Sequence, residues 1–186
     1  MKSHIRSAGF STGPVDLDAD SAELVMAVLR APDYLEAVAV DAVSIDGDDS
    51  TGTMVAMLER APQRDQVHAV FTNATTMAGF NVIDVELFTE RTGVPIISVV
   101  RDAPDMGAVA DALRTRFGGT GQRLELLSRR EWTEIGGIHA TWAGTDEPGA
   151  RDLLSACTMI GNIPESLRVA RLIASAIGSG MSHGRV

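Results

Sequence analysis

The sequence predicts an α/β domain in which a mixed sheet carries helices on both faces. Three segments with strand character follow one another near the start with short connections, which is typical of an antiparallel meander. Helical and strand patterns then alternate, as they do where parallel strands are joined by crossover helices. The length of 186 residues and the hydrophobic content of 45% suit a single domain over residues 1–186.

The meander is predicted from three runs of apolar residues. The first, residues 4–10, is short and is bounded by glycine and proline. The second, residues 23–29, suits a strand better than a helix because of its length. The third, residues 34–45, has branched apolar residues at alternating positions, and Asp-Gly-Asp-Asp at residues 46–49 makes the turn that ends it.

The pattern then changes to helical spacing. Met54, Met57 and Leu58 stand at i, i+3, i+4, and Pro62 closes this helix. A buried strand at residues 67–72 and a loop at residues 73–79 follow. Asn81 is predicted to open the next helix, which runs to about Arg91.

The C-terminal half continues the alternation. Residues 94–100 are a continuous apolar run, as expected of a parallel strand covered on both faces. In the last helix we expect Asn162 to cap the start and Gly178 to mark the end, with residues 179–186 as a mobile tail. The other predicted elements are a helix at 105–117, strands at 123–127 and 137–142, and helices at 148–159 and 164–177.

Charge and composition limit the classes of function. The net charge is −9, and Lys2 is the only lysine among 16 basic residues. This acid excess argues against a generally basic protein that coats nucleic acid. The single Cys157 forms no internal disulfide, the N-terminal residues lack a signal-peptide pattern, and the longest apolar run is too short to span a bilayer. We therefore expect a cytoplasmic location and no membrane partner.

Four short motifs carry a family resemblance. The two most specific are Gly-Phe-Asn-Val-Ile-Asp at residues 79–84 and Pro-Glu-Ser-Leu-Arg at residues 164–168. Ile-Asp-Gly-Asp-Asp-Ser-Thr at residues 45–51 and Thr-Gly-Val-Pro-Ile-Ile at residues 92–97 are the others. In this order and at these intervals they resemble the archaeal endonuclease dU family (domain of unknown function 99). Residues 2–9 resemble the family's start and residues 182–185 its end, so nearly the whole chain is covered.

The resemblance implies a ribonuclease H-like fold related to endonuclease V. It also implies a metal-dependent endonuclease that acts on DNA with deaminated bases, deoxyuridine in particular, as a DNA repair enzyme. Hydrolysis of a phosphodiester in this way needs one or two Mg²⁺ or Mn²⁺ ions held by converging carboxylates. In such a sheet these carboxylates come from the end of the first strand and from the end of the adjacent parallel strand.

This sequence departs from the family at both of those places. Where the family typically has Gly-Ile-Asp-Asp, this chain has Gly-Phe followed by Ser11 and Thr12. After the fourth strand, where another acid would complete a metal pair, it has Asn73. These three are possible neighbours of a site. Neutral oxygens can join the ligands of Mg²⁺ but supply no charge that offsets a dication.

The remaining acids each have a catalytic and a structural interpretation. Asp46 and Asp49 match the family motif and are the candidate metal ligands, or they are a turn acid and a helix cap. Asp84 is the third candidate catalytic acid, or it occupies the N3 position of a helix that Asn81 opens.

Five further residues are candidates for substrate binding: Gly79, Phe80, Asn81, Arg168 and Arg171. Gly79 suits a tight loop beside either a ligand or packed backbone, and Phe80 is either a core anchor or a wedge that stacks on a base. Arg168 can pair with Glu165 on one helix face or can contact a phosphate, with Arg171 on the same side.

Three hypotheses about function remain open. The chain is a repair-type endonuclease that uses Mg²⁺ or Mn²⁺ and binds DNA. Alternatively it is a catalytically inactive protein on the same fold that binds nucleic acid or an assembly partner. The third hypothesis is an enzyme that acts on a small phosphorylated molecule, which the acidic composition does not oppose.

Overall fold

The structure of the protein, a computed structural model, describes residues 5–182. Its strands are β1 (Arg6–Thr12), β2 (Ser21–Arg30), β3 (Tyr34–Ser44), β4 (Val67–Thr72), β5 (Thr76–Met77), β6 (Asn81–Val82), β7 (Ile96–Val100), β8 (Thr133–Ile135) and β9 (Ile138–Ala143). Its helices are α1 (Ser50–Glu59), α2 (Val85–Thr92), α3 (Met106–Phe117), α4 (Gly121–Ser128), α5 (Glu147–Cys157) and α6 (Glu165–Ser179).

Seven strands form one sheet in the order β3-β2-β1-β4-β7-β9-β8. The strands β1, β2 and β3 form an antiparallel meander, whereas β4 and β7 lie parallel to β1. The strands β9 and β8 return antiparallel, and β5 and β6 form a separate hairpin. The predicted mixed sheet is thus confirmed, and β1 lies in its interior with β2 on one side and β4 on the other.

Helices cover both faces of the sheet. On one face, the buried residues Phe10 and Met26 of the sheet form a core with Met54 and Met57 of α1 and with Phe88 of α2. The opposite face packs against α5 and α6 in two further clusters. Burial of branched and aromatic side chains on both faces is what stabilises such a central sheet.

Two glycines allow α6 to lie directly on β1. A Cβ atom at Gly9 would be 2.3 Å from backbone atoms of Ser166 and Leu167, and one at Gly13 would be 2.3 Å from the carbonyl oxygen of Ala174. Only glycine permits so close an approach between a helix backbone and a strand. The helix therefore runs alongside β1, with its start near Gly9 and its later turns near the end of that strand.

The structure corrects three predictions of secondary structure. Residues 123–127 belong to the helix α4 and not to a strand, because five residues of alternating polarity fit a helix turn as well as a strand. Asn81 begins the strand β6, and the helix starts at Val85 because the side chain of Asn81 is drawn into the interior. Pro164, and not Asn162, occupies the N-cap position of α6.

The end of the chain differs in part from the prediction. The helix α6 runs past Gly178 to Ser179, and Gly180 closes it with a left-handed backbone at φ 78°. Of the predicted tail, residues 183–186 lie outside the described residues, as do residues 1–4, where the first strand was predicted to begin. Within residues 5–182 no helix is both long and apolar enough to cross a membrane.

Candidate functional site

The candidate residues other than the arginines of α6 gather along one edge of the sheet, where its parallel strands end. Because β3, β1, β4 and β7 point the same way, their carboxyl ends share this edge. Phe10 and Thr72 are register partners, so Ser11 and Asn73 follow them on neighbouring strands. The structure thus brings these two positions together, as the resemblance implies. Ser11 is fully buried and donates to the carbonyl of Thr12, whereas Asn73 is exposed.

Asp49 lies in a dense set of hydrogen bonds between the end of β3 and the start of α1. Its carboxylate accepts from the Ser44 backbone N–H at 3.1 and 3.2 Å, from the Ser44 hydroxyl at 2.8 Å and from Asn81 Nδ2 at 2.6 Å. Burial alone raises the pKa of Asp49, but the hydrogen bonds from Asn81 and Ser44 outweigh it and lower that pKa. Asp49 occupies the predicted cap position of α1, yet its side chain makes no capping bond there.

Asn81 joins the hairpin to the same helix. It is fully buried, and its Oδ1 accepts from the Ser50 backbone N–H at 3.0 Å and from the Ser50 hydroxyl. Its Nδ2 donates to the Ser44 carbonyl at 2.8 Å as well as to Asp49. An amide with both ends satisfied in this way fixes the position of the strand β6 against β3 and α1.

Asp46 is held by the turn between β5 and β6 and by the helix α3. Its carboxylate accepts from the Phe80 backbone N–H at 2.8 Å and from Arg116 Nε at 2.6 Å. Burial alone raises the pKa of Asp46, but the hydrogen bonds from Phe80 and Arg116 outweigh it and lower that pKa. Gly79 is required here, because its φ is +82° and a Cβ would be 2.3 Å from Oδ1 of Asp46.

Arg123 of α4 bonds to the backbone at this end of the sheet. Arg123 donates to the carbonyl oxygens of Asp46 at 2.7 Å, Gly47 at 3.2 Å and Phe80 at 3.1 Å. Its guanidinium also lies over the ring of Phe117, 4.3 Å from the centroid. Phe80 is half-buried and meets Phe117 edge to face at 6.1 Å, so its ring packs against α3.

Asp84 is the N-cap of α2 and not its third residue. Its carboxylate accepts from the Leu87 backbone N–H at 2.9 Å, and its own N–H donates to Thr51 Oγ1 at 2.9 Å. A guanidinium nitrogen of Arg129 lies 3.9 Å from the carboxylate. Asp84 therefore has the capping role that the sequence allowed, at a different helix position.

A cleft of about 590 Å³ opens beside these residues. Asp49 and Thr51 line it at the start of α1, Asp84 and Arg91 line it from α2, and Arg123 lines it from α4. Arg91 is exposed and forms no ion pair with any residue in the described part of the chain. The lining of the cleft thus includes carboxylates and, at Arg91, a guanidinium that has no ion-pair partner among the described residues.

The donor set does not suit a divalent cation. Among residues 5–182 no three His, Cys, Asp or Glu side chains are grouped so that they could hold a metal ion. The oxygens of Asp46 and Asp49 already accept from an arginine, an amide and backbone N–H groups. Such carboxylates are anchored as parts of the fold. The catalytic and metal-binding roles of Asp46, Asp49 and Asp84 stay predictions.

The predicted arginines of α6 lie apart from these acids. Arg168 forms a two-pronged ion pair with Glu165, with Nε 2.9 and 3.0 Å from the two oxygens, and this confirms the expected helix pair. No hydrogen bond or ion pair of the described residues joins Arg168 or Arg171 to the acids at the edge. Ala174 packs near the end of β1. Arg168 lies six residues before Ala174, so the two are separated by about 9 Å along the helix axis.

Sequence reasoning missed the role of Arg116 and Arg123. The only signal was the density of arginine between residues 114 and 130, and interspersed glutamates made that region look like a solvated surface. The hydrogen bonds of Arg123 to three backbone carbonyls depend on the chain path and leave no trace in residue spacing.

A family model and a sequence relative both match this chain over most of its length. The family model described as "Endonuclease dU" matches residues 3–178. A UPF0215 protein of Methanothermobacter thermautotrophicus is 32% identical over 194 residues, covering 99% of this chain and 93% of the relative.

Solved structures also resemble this chain. A protein of unknown function from Archaeoglobus fulgidus has a TM-score of 0.84 at 29% identity, covering 98% of this chain and 100% of its own. The catalytic domain of human endonuclease V has a TM-score of 0.62 at 14% identity, covering 97% and 86%. Endonuclease V of Ciona intestinalis, in complex with DNA containing an inosine, has a TM-score of 0.57 at 12% identity, covering 91% and 84%. The likeness to endonuclease V confirms the ribonuclease H-like fold.

Proposed function

This chain belongs to the endonuclease dU family, and from that premise we propose that it binds nucleic acid without hydrolysing it. One observation carries the proposal: the carboxylates of Asp46 and Asp49 are bound to donors of the fold, while β1 ends in Ser11 and Thr12. The family name and the ribonuclease H-like fold support nucleic acid as the ligand.

The chemistry of metal-dependent hydrolysis explains why these residues matter. A pair of Mg²⁺ or Mn²⁺ ions needs several carboxylate oxygens that are free to converge on it. To serve as ligands, Asp46 would have to leave Arg116 and the Phe80 amide, and Asp49 would have to leave Ser44 and Asn81. Release of Asp46 or Asp49 would leave the half-buried Phe80 N–H or the buried Asn81 amide without its present acceptor, which costs free energy, whereas Ser44 and Arg116 are exposed and can bond to water instead.

Arg91 is the residue that we assign to phosphate binding. It lines the cleft, is exposed, and has no acidic partner in the described part of the chain. Arg168 is less suited because Glu165 already neutralises it. With a net charge of −9, the chain repels DNA at long range, so we expect binding to rest on few phosphate contacts.

A second candidate function is cleavage of DNA at deoxyuridine with Mg²⁺ or Mn²⁺. The specific observation in its favour is that Asp49 and Asp84 line the same cleft as Arg91 and Arg123. In that case the carboxylates would rearrange when metal and DNA bind together.

One experiment separates the two functions. Duplexes that differ only in one deoxyuridine are mixed with excess protein and Mg²⁺ or Mn²⁺, at low and at multimolar salt. Binding is followed by fluorescence anisotropy and nicking by a denaturing gel. We expect binding without nicking, and we expect R91A to weaken binding and to reduce the slope of log K against log salt by about one.

The contrary results are equally specific. Nicking that is lost in D46N, D49N and D84N but kept in D48N would overturn the proposal and establish the endonuclease. Nicking that survives in all four variants and that follows the protein through a second purification step would also overturn the proposal, and it would place the catalysis at other residues. If the protein neither binds nor nicks any duplex, nucleic acid is not its ligand and the proposal is wrong.

A further inference from the structure

The helices α3 and α4 take almost no part in the core of the protein. Of residues 101–130, only Ala110 and Leu113 are buried. No residue of this range belongs to the three core clusters in the described part of the chain. Segments with so few buried apolar side chains open at a lower free energy than the core does. We call residues 105–130, which hold both helices, the α3–α4 unit.

A cavity separates this unit from the rest of the protein. It has a volume of about 150 Å³, with Met106 and Leu127 on the side of the unit and Phe80 and Val100 on the other. Atoms that line a void lose the dispersion contacts of close packing. Beside it the rings of Phe80 and Phe117 meet edge to face. The unit is therefore packed loosely on the carboxyl end of the sheet.

Arginine side chains tie the unit to the remainder of the protein. Arg116 forms an ion pair with Asp46, with 2.6 Å between Nε and Oδ2, and Arg130 forms one with Glu86 at 2.7 Å. Arg123 donates to three backbone carbonyls outside the unit, at 2.7 to 3.2 Å. Ion pairs at an exposed surface contribute little stability and are screened by salt. These bonds hold the unit less firmly than a packed core would.

Both ends of the unit attach close to each other. Residues 101–104 link it to β7, and three of these four residues are exposed. Val99 of β7 pairs with Ala140 of β9, which pairs with Thr133 at the start of β8. The two attachments are thus two strand spacings apart, or about 10 Å. A segment joined at two nearby points can turn as one body about the line between them.

We propose that the α3–α4 unit is a lid that swings away from the carboxyl edge of the sheet about these two links. The helix α4 forms one wall of the cleft of about 590 Å³, so opening widens that cleft. Asp49 keeps both of its partners, since Ser44 and Asn81 lie outside the lid. Asp46 loses Arg116 but keeps the Phe80 N–H.

Nucleic acid is the ligand that opens the lid, and this step rests on the proposed function. A ligand shifts such an equilibrium only if it binds the open state better than the closed one. The guanidinium groups of Arg116 and Arg123 are occupied in the closed lid. In the open lid they are free, and phosphate groups accept hydrogen bonds from guanidinium strongly. Contacts of these two arginines with phosphates therefore stabilise the open lid.

Distances between two spin labels, measured by pulsed electron paramagnetic resonance, test the lid. The exposed Ala56 of α1 and Ala112 of α3 are replaced by cysteine, and Cys157 is buried, so the labels attach to the new thiols. We expect the distance of the closed lid and a longer one. R123A should increase the ratio of open to closed lid about tenfold, the effect of losing one typical net hydrogen bond. R116A/R123A and molar salt should increase it as well, as should a duplex.

Two controls accompany these variants. R114A removes an ion pair with Asp111 that lies within α3, so it should leave the ratio unchanged. Labels at Ala56 and at the exposed Ser155 of α5 should keep one distance throughout, because neither residue belongs to the lid.

Several results would overturn the proposal. One unchanged distance in R116A/R123A and at molar salt excludes the lid, as does an R114A that opens it as much as R123A. Loss of helical circular dichroism in R116A/R123A would mean that α3 and α4 unfold instead of moving as a unit. A duplex that binds, as anisotropy measures, but leaves the distances unchanged excludes transfer of the arginines to phosphate. If no duplex binds, the proposed function is wrong, whereas the variants and salt still decide whether the lid exists.

Discussion

Replacing Asp49 by asparagine separates a structural carboxylate from a metal ligand. The substitution keeps the shape of the side chain and replaces one oxygen by an NH₂ group. In the structure this oxygen pair accepts four contacts from Ser44 and Asn81. Whichever way the new amide turns, its NH₂ group faces a donor, either the Ser44 backbone N–H or the Asn81 amide.

The magnitude follows from those hydrogen bonds. A bond to a charged acceptor contributes about 1.5–3 kcal/mol net, and a buried donor left without an acceptor, which here is the Asn81 amide because Ser44 is exposed, costs about 1–3 kcal/mol. Asp49 is half-buried, and the remaining oxygen of asparagine keeps part of the set. We therefore expect D49N to lower the free energy of unfolding by about 2 kcal/mol. D48N, at an exposed neighbouring position, should change it by less than about 0.5 kcal/mol.

Urea unfolding at neutral pH measures this difference, once with EDTA and once with Mn²⁺. We expect the same loss in both conditions, because the contribution of Asp49 does not depend on a cation. A metal ligand behaves differently: removing its charge relieves repulsion in the metal-free protein and removes stabilisation by Mn²⁺. D49N as stable as wild type in EDTA, combined with wild type stabilised by Mn²⁺, would refute our reasoning.

Two further predictions concern packing and pH. G9A should lower the free energy of unfolding by about 3 kcal/mol, because its Cβ would lie 2.3 Å from the backbone of Ser166 and Leu167. G52A in α1, where a Cβ would have nothing within 4 Å, should raise it by about 0.5–1 kcal/mol. Urea unfolding measures both, and a destabilised G52A or a neutral G9A would contradict the described contacts. The lowered pKa values of Asp46 and Asp49 mean that their contribution is complete above the ordinary aspartate pKa of about 3.9 and is lost as pH falls through the lower folded values. Between pH 6 and pH 2, the free energy of unfolding should therefore fall less for D49N than for wild type. Equal losses would show that the ionised Asp49 does not contribute to stability.

The sheet could be predicted from the sequence because its signals are local. The mostly apolar run at β4, the apolar run at β7 and the alternating valines at β3 each predict a strand without reference to the rest of the chain. The short connections between the first three strands then imply an antiparallel meander. The order of strands within the sheet follows from these connections together with the family resemblance.

The candidate site was harder to predict because its contacts are distant in sequence. Asn81 bonds to Ser50 and Asp49 across more than thirty positions, and this buries a residue that local patterns assign to a helix start. Arg123 is likewise fixed by carbonyls more than forty positions away. The acidic residues at 46, 49 and 84 were candidates for catalysis. The hydrogen-bond donors that already bind their carboxylates can be identified only from the fold.

Binding of Mn²⁺ to the metal-free protein tests the central claim most directly. Electron paramagnetic resonance measures the free ion as protein is added, without DNA and without any assumption about substrate. We predict no saturable site with a dissociation constant below about 1 mM, the weak end of protein sites for hard cations, because Asp46 and Asp49 are already bound to donors of the fold. A site of micromolar affinity that D46N or D49N removes and D48N retains would contradict the account.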